Sequence, residues 1–292
     1  TNFMKVKILI PIYNDWNSVS KLIDNIDNEI ADLDIDFSAV IINDASTQKK
    51  PENKFKYQNL KSIKIVNMIK NRGHGRCNAA GLKFINENED FDYILPMDGD
   101  GEDRPEEIKS LIEKIRENSN LSVVAKRVKR SEGPFFQLLY QIHKIITLIF
   151  TGKNINFGNF CILTSNDVEK LHSKASLWSS FSGSVKKNLN PLNEINSIRG
   201  LRYFGPSKMS LLKLIVHSLS IIAVFKYHVF LRSTLMIIAL AYLNSYIGNF
   251  SIIFQILIVI FNLLIFTVSI REQKKDLLNS HNNLYNVKKI TH

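Results

Sequence analysis

Residues 91–108 read FDYILPMDGDGEDRPEEI. A short apolar run stops at a turn of alternating aspartates and glycines, Asp98, Gly99, Asp100, Gly101 and Glu102, and a proline-led helix start follows. An apolar run of this length ending in turn residues predicts a buried strand, 91–95. Asp103 and Pro105, followed by Ile108, Leu111, Ile112 and Ile115 at helical spacing, predict a helix directly after it. The same unit recurs outward from this point. Residues 5–12, 37–42, 62–66 and 121–125 are further predicted strands, and Val19, Leu22, Ile23, Ile26 and Ile30 mark a helix after the first. Such alternation predicts an α/β layer structure with a mostly parallel sheet. Ligands of such sheets bind beyond the carboxyl ends of the strands, and four polar clusters fall there: PIYND at 11–15, NDAS at 43–46, NRGHGRCN at 71–78 and DGDGE at 98–102.

Any one Asn/Asp pair after a strand is ordinarily a turn former; the joint placement of four clusters is what suggests a site. Asp98 and Asp100, with Glu102 close behind, offer hard oxygen ligands suited to Mg²⁺ or Mn²⁺ carrying nucleotide phosphates. Glycines at 99 and 101 let the backbone approach a ligand closely. An EF-hand calcium loop counted from Asp98 would need a glutamate at its twelfth position, where Lys109 stands. Gly73, Gly75 and Gly81 follow neither dinucleotide nor P-loop spacing. Arg72, His74 and Arg76 nevertheless make a cationic helix start, a place that suits a diphosphate.

The chain has 292 residues, 45% apolar and 22% charged, with 38 Lys+Arg against 27 Asp+Glu. This composition excludes a disordered chain, and two cysteines 84 positions apart exclude a disulfide scaffold and fit a reducing compartment. The net charge of +11 first suggests nucleic acid, but it is local. Residues 1–120 carry 17 basic and 21 acidic side chains, residues 121–232 carry 16 and 4, and residues 233–292 carry 5 and 2. The excess precedes two apolar stretches, as expected beside anionic lipid. No basic stripe interleaved with aromatics and no nucleic-acid module occurs, so nucleic acid is not an expected partner.

Residues 250–270 form a run of 21 without a charge, long enough at ~1.5 Å per residue to cross about 30 Å of hydrocarbon. The weaker run 229–247, with Arg232 near its start, completes a predicted transmembrane hairpin. Lys213, Lys226 and Arg232 precede it and Arg271, Lys274 and Lys275 follow it, which places both termini in the cytoplasm. Residues 134–150 and 209–225 read as helices at the headgroup boundary, with ordinary core helices as the alternative. His143 and His217 on those segments read as interfacial or core residues, and 276–292 as a loosely ordered tail. No secretory signal is expected.

The order PIYND, INDAST, NRGHGRCNAAGL and MDGDGEDRPEEI resembles the family 2 inverting glycosyltransferases of GT-A fold. Within it, the chain looks most like the polyprenyl-phosphate sugar transferases with a C-terminal transmembrane hairpin. The resemblance covers roughly residues 5–232. It implies a cytosolic GT-A domain over 1–205, a juxtamembrane amphipathic segment over 206–228, a hairpin over 229–271 and a cytoplasmic tail over 272–292. It implies that Asp44 meets the nucleotide base, and that Pro11, Tyr13 and Asn14 line the base and ribose pocket. Asn71, Gly73, His74, Arg76 and Gly99 complete the nucleotide site. Asp98 and Asp100 match the metal-binding DxD; Glu102, the third implied ligand, stands where relatives often have Gln. Arg127 falls near the transferred phosphates with Arg130 as a second arginine, and Asn159 lies in an acceptor-side loop, NFGNF at 156–160. Ser207 and Lys208 match a Ser-Lys pair that precedes the membrane helices.

Enzymes of this kind that act on sugar hydroxyls carry a Glu-Asp pair as base in the acceptor region. Between residues 133 and 193 only Asp167 and Glu169 are acidic. A lipid phosphate is already ionised and needs no base, so the expected reaction is metal-dependent transfer from a UDP- or GDP-sugar to a polyprenyl phosphate on the cytoplasmic leaflet of the plasma membrane. Transfer to a glycolipid or glycan hydroxyl, and a non-catalytic membrane scaffold, are the alternatives. A homo-oligomer is compatible with either.

Overall fold

The computed structural model describes residues 3–50, 55–129, 134–205 and 210–290. Its centre is an eight-stranded sheet of order β7-β5-β6-β4-β1-β2-β3-β8. The predicted strands are β1 (Lys5–Ile12), β2 (Asp36–Asn43), β3 (Ile63–Met68), β4 (Tyr93–Pro96) and β5 (Val123–Lys129). β3, β2, β1 and β4 are parallel neighbours. β6 (Phe157–Thr164) runs antiparallel between β4 and β5, and β7 (Asn193–Ile198) runs parallel to β5. This is a mixed α/β sheet, mostly parallel as expected.

Both faces of the sheet are covered, which is why β1 and β2 are nearly continuous apolar runs. Val6, Ile8, Ile10 and Ile12 of β1 pack with α1 (Trp16–Glu29), whose Val19, Leu22, Ile23 and Ile26 are fully buried. α3 (Ile108–Glu117) adds Ile108, Leu111, Ile112 and Ile115 to the same layer. Each fully buried Ile or Leu contributes roughly 1.5–3 kcal/mol relative to exposure. The opposite face takes α2 (His74–Asn88), α5 (Ser165–Leu171), α6 (Ala175–Ser179) and α7 (Phe181–Asn188). α2 approaches closely because it presents Gly81, where a Cβ would meet Leu9 Cδ1 at 2.5 Å.

The apolar segments form helices α4 (Pro134–Thr151), α8 (Leu211–Ala223), α9 (Lys226–Tyr242), the short α10 (Asn244–Ile247) and α11 (Asn249–Ser269). They pack as a small cluster through Ile222, Val229 and Ile265, with Phe150 and Phe261 rings 4.4 Å apart. Their outer sides leave Leu148, Leu231, Leu235, Ile252, Phe254 and Leu263 exposed. Among the described residues one helix, α11, is long and apolar enough to cross a membrane, with mean hydropathy 2.6. α8 and α9 reach that measure only as a pair bent by 85°. The run 229–247 is thus not one straight helix: α9 stops at Tyr242, and a turn into α10 follows.

The expected loose tail is instead ordered. α12 (Lys274–Leu278) and a 3₁₀ turn lead into β8 (Leu284–Ile290), which pairs antiparallel with β3. The tail closes an edge of the sheet that would otherwise expose unpaired backbone groups.

Candidate active site

The four polar clusters meet at the carboxyl ends of β1, β2, β3 and β4, as the parallel register requires. After β1, Asn14 adopts φ 50 and its Oδ1 accepts from the N–H groups of Thr47 at 2.8 Å and Gln48 at 3.0 Å, tying the first cluster to the second. Tyr13 is 42% exposed beside it, and Pro11 is buried. Asp44 is buried, and its two oxygens accept from the N–H groups of Arg72 and Gly73, both at 2.8 Å. Burial pushes the Asp44 carboxyl up, and the two N–H bonds partly offset it. Asp44 therefore shapes the glycine turn, where Gly73 has φ +89. Asn71 stands exposed on that turn. Arg76 packs over Trp178, 5.5 Å from the ring centroid, and its Nε is buried without a partner.

The aspartate turn carries Asp98, Asp100, Glu102 and Asp103 within six residues. His74, at the start of α2, reaches Asp98 Oδ1 at 2.9 Å, and Asn159 donates to the same oxygen at 3.2 Å. Burial opposes ionisation of Asp98, yet the charge and hydrogen bond of His74, with Arg199 and Arg127 nearby, hold it well below the usual carboxylate range. His74 is raised in turn by Asp98, against its own burial. Its side chain is itself 39% exposed.

Asp103 accepts the Asp98 N–H at 2.9 Å, and burial with the Asp98 charge pushes its carboxyl up to about 7. Asp100 is pushed up to about 6 by burial and by the charges of Asp98 and Glu102. Gly99 is held against β1, where a Cβ would meet Ile12 Cγ2 at 2.9 Å.

Two arginines that the sequence reading did not select complete the turn. Arg199 pairs with Glu102 and lies 3.9 Å from Asp98. Arg202 bridges Asp100 and Asp15, the latter at 3.0 Å. They are held there because Gly200 N–H donates to Glu102 O at 2.8 Å and Tyr203 N–H to Asp100 O at 2.9 Å. Arg199 Nε and Nη1 and Arg202 Nε are buried without partners. Buried N–H donors lacking acceptors are costly, so these point to an anionic ligand.

Arg127, at the end of β5, feels the same carboxylates and lies against Gly158, where any side chain would strike its guanidinium. Asn156 O accepts the Arg127 N–H at 2.9 Å. The segment 156–160, expected as an acceptor loop, is mostly the start of β6, which carries Asn159 to within 2.8 Å of His74 Nε2. Arg130, Ser207 and Lys208 lie outside the described residues.

The donor set tests the expected Mg²⁺ or Mn²⁺. Asp98 and Asp100 fit such an ion: they are hard oxygen donors, and Asp100 is crowded by like charge that a cation would relieve. Glu102, the third expected ligand, pairs here with Arg199 as Asp100 pairs with Arg202, and among the described residues no three His, Cys, Asp or Glu groups converge in metal-holding geometry. Asp98 and Asp100 would hold such an ion.

Neither acidic residue of the acceptor region stands as a base. Asp167 is buried and bonded by Ser122 Oγ at 2.7 Å and Lys170 Nζ at 2.9 Å, while Glu169 accepts from Asn86 at 3.0 Å. His217 stands exposed on α8.

Residues 7–173 match the family model described as glycosyl transferase family 2, more than half of the chain. A dolichol-phosphate mannosyltransferase of Pyrococcus furiosus is 27% identical over 47% of this chain and 38% of its own length. An undecaprenyl-phosphate 4-deoxy-4-formamido-L-arabinose transferase of Proteus mirabilis is 22% identical over 72% of this chain and 64% of its own. The chain thus spans less than two thirds of these curated relatives. Among solved structures, a glucosyl-3-phosphoglycerate synthase of Mycobacterium tuberculosis with Mn²⁺ and UDP-glucose superposes with TM-score 0.55 at 13% identity, over 77% of this chain and 80% of that one. A mannosyl-3-phosphoglycerate synthase of Rubrobacter xylanophilus has the same TM-score, over 76% and 72%. These are GT-A glycosyltransferases, and the sheet with its flanking helices shares their fold.

Proposed function

Because this chain belongs to glycosyl transferase family 2, we propose that it moves one sugar from a UDP- or GDP-sugar to a polyprenyl phosphate at the cytoplasmic face of a membrane. The observation that carries this reading is the ring of His74, Arg127, Arg199 and Arg202 around Asp98 and Asp100, with buried N–H groups left for an anion. Relatives whose names specify polyprenyl-phosphate acceptors support the acceptor class. The engagement of Asp167 and Glu169 in hydrogen bonds supports it too, since a phosphate oxygen attacks without losing a proton and needs no carboxylate base.

In this reading Pro11, Tyr13, Asn14 and the Asp44-shaped turn of Asn71 to Arg76 hold the nucleoside, with Gly99 admitting its backbone. Bound Mg²⁺ or Mn²⁺ supplies charge neutralisation on the departing diphosphate. Arg127, Arg199 and Arg202 stabilise the same developing charge from the protein side. The lipid phosphate oxygen forms the new bond at the anomeric carbon as the bond to the nucleoside diphosphate breaks, which inverts the configuration. Asn159 orients Asp98 and His74, and Arg130, Ser207 and Lys208 are assigned to the acceptor phosphate.

Residues 1–205 form the transfer domain, 206–228 lie along the membrane surface, 229–271 make the hairpin and 272–292 return. The return supports the orientation: β8 belongs to the same sheet as β1, so a hairpin between them must enter and leave on one side. Asp98→Asn with Asp100→Asn should lower transfer from a radiolabelled donor by roughly 100-fold or more, with the melting temperature retained. Undiminished transfer would remove these aspartates from the site.

A further inference from the structure

A second cationic site lies away from the aspartate turn. Lys153, Asn154, Lys186, Lys187, Asn190 and His228 line a pocket of about 390 Å³ floored by Phe225. This lies within the range of roughly 300–1,000 Å³ typical of small-ligand sites, and no lining residue belongs to the transfer site described above. The pocket forms where α4 ends at Thr151 and α9 begins at Lys226, at the elbow of the 85° bend between α8 and α9.

Two cations fasten that elbow. Lys187 Nζ donates to Val224 O at 2.9 Å, and Arg232 Nη1 donates to Ile149 O at 3.1 Å while its guanidinium covers Gly152. These bonds to carbonyls leave the charges uncompensated. Among the described residues, none of Lys153, Lys186, Lys187 and Arg232 has a carboxylate partner, whereas the neighbouring Lys226 is paired with Glu272 at 3.1 Å. Just beyond the pocket, the same two helices expose Leu148 and Ile149 of α4 and Leu231 and Leu235 of α9. A multiply basic, hydrogen-bonding pocket edged by exposed aliphatic side chains is complementary to an amphiphile with an anionic head.

We propose that this pocket binds the phosphate-bearing headgroup of an anionic bilayer phospholipid, with its acyl chains along α4 and α9. None of its lining residues is among those assigned to the polyprenyl phosphate acceptor. The inference rests on the membrane reading above and adds a lipid that is bound but not consumed. Lys153 and Lys186 supply the charge-assisted bonds, Asn154 and Asn190 supply neutral donors, and Lys187 positions the elbow.

The test uses the full chain in neutral detergent, with melting temperature and transfer rate both read. Short-chain phosphatidylglycerol should stabilise it saturably at roughly tenfold lower concentration than short-chain phosphatidylcholine, the difference that one charge-assisted bond makes. Lys153→Gln with Lys186→Gln should erase that preference while leaving the ligand-free melting temperature and the transfer rate in detergent unchanged. Stabilisation by inorganic phosphate equal to that by phosphatidylglycerol would overturn the lipid assignment in favour of a free anion. Protection by polyprenyl phosphate alone would overturn it in favour of acceptor entry. Equal response to both phospholipids would defeat this inference while the membrane reading stands, and failure of the chain to reconstitute into any bilayer would defeat both.

Discussion

Asp100 concentrates the chemistry of the site at the scale of one residue. In the folded protein its carboxyl is raised to about 6 from 3.8 by burial and the charges of Asp98 and Glu102. A raised carboxylate favours the folded state while protonated, so its contribution to stability is lost as pH rises from 3.8 through about 6. A divalent cation needs the ionised form, and protons compete with it below that range. Mn²⁺ should therefore raise the melting temperature more at about pH 7 than at about pH 5; an equal shift at both, or none, would deny Asp100 a place in the metal site. The aspartates themselves were legible in the sequence, because a strand, a DGDGE turn and a helix start stand within one short stretch. Arg199 and Arg202 were not. They lie 97 and 102 positions from the carboxylates they pair with, and nothing local distinguishes an arginine that will be buried against acid from one that will be solvated. Nor does spacing show that Glu102, an expected metal ligand, pairs with the distant Arg199.

At the scale of elements, the strands legible in the sequence were those covered on both faces, where apolar residues run almost unbroken. β7 alternates buried and open positions with Asn, Glu and Ser, and β8 reads LYNVKKI. Such edge strands carry half the apolar signal, and their partners are remote: Ile290 of β8 stands opposite Ile63. β6 was partly hidden by the turn-like NFGNF at its start, which is open where Gly158 makes room for Arg127. Because β8 covers the edge of β3, deletion of residues 284–292 should expose a strand edge, lower the melting temperature and promote self-association. Size-exclusion chromatography with calorimetry would detect both; an unchanged, monodisperse protein would mean that β8 contributes little to the sheet.

For the whole molecule, an acidic half that carries the aspartate turn is joined through a basic connector to a cluster of exposed apolar helices, α4, α8, α9 and α11. The connection of α11 back to β8 would place both ends of the proposed hairpin on the side of the sheet. Cys77 and Cys161 are buried and free, so they provide a silent background for labelling. An impermeant maleimide added outside intact cells should modify Asn244→Cys at the hairpin turn and spare Asn279→Cys; the reverse pattern would invert the orientation. The most direct test of the central claim is the product itself. Purified protein given labelled UDP- and GDP-sugars, Mn²⁺, a polyprenyl phosphate and a glycolipid hydroxyl acceptor should place the label on the polyprenyl phosphate, through an inverted anomeric bond that Asp98→Asn abolishes. Label found on the hydroxyl acceptor, or no transfer from any nucleotide sugar, would contradict the account.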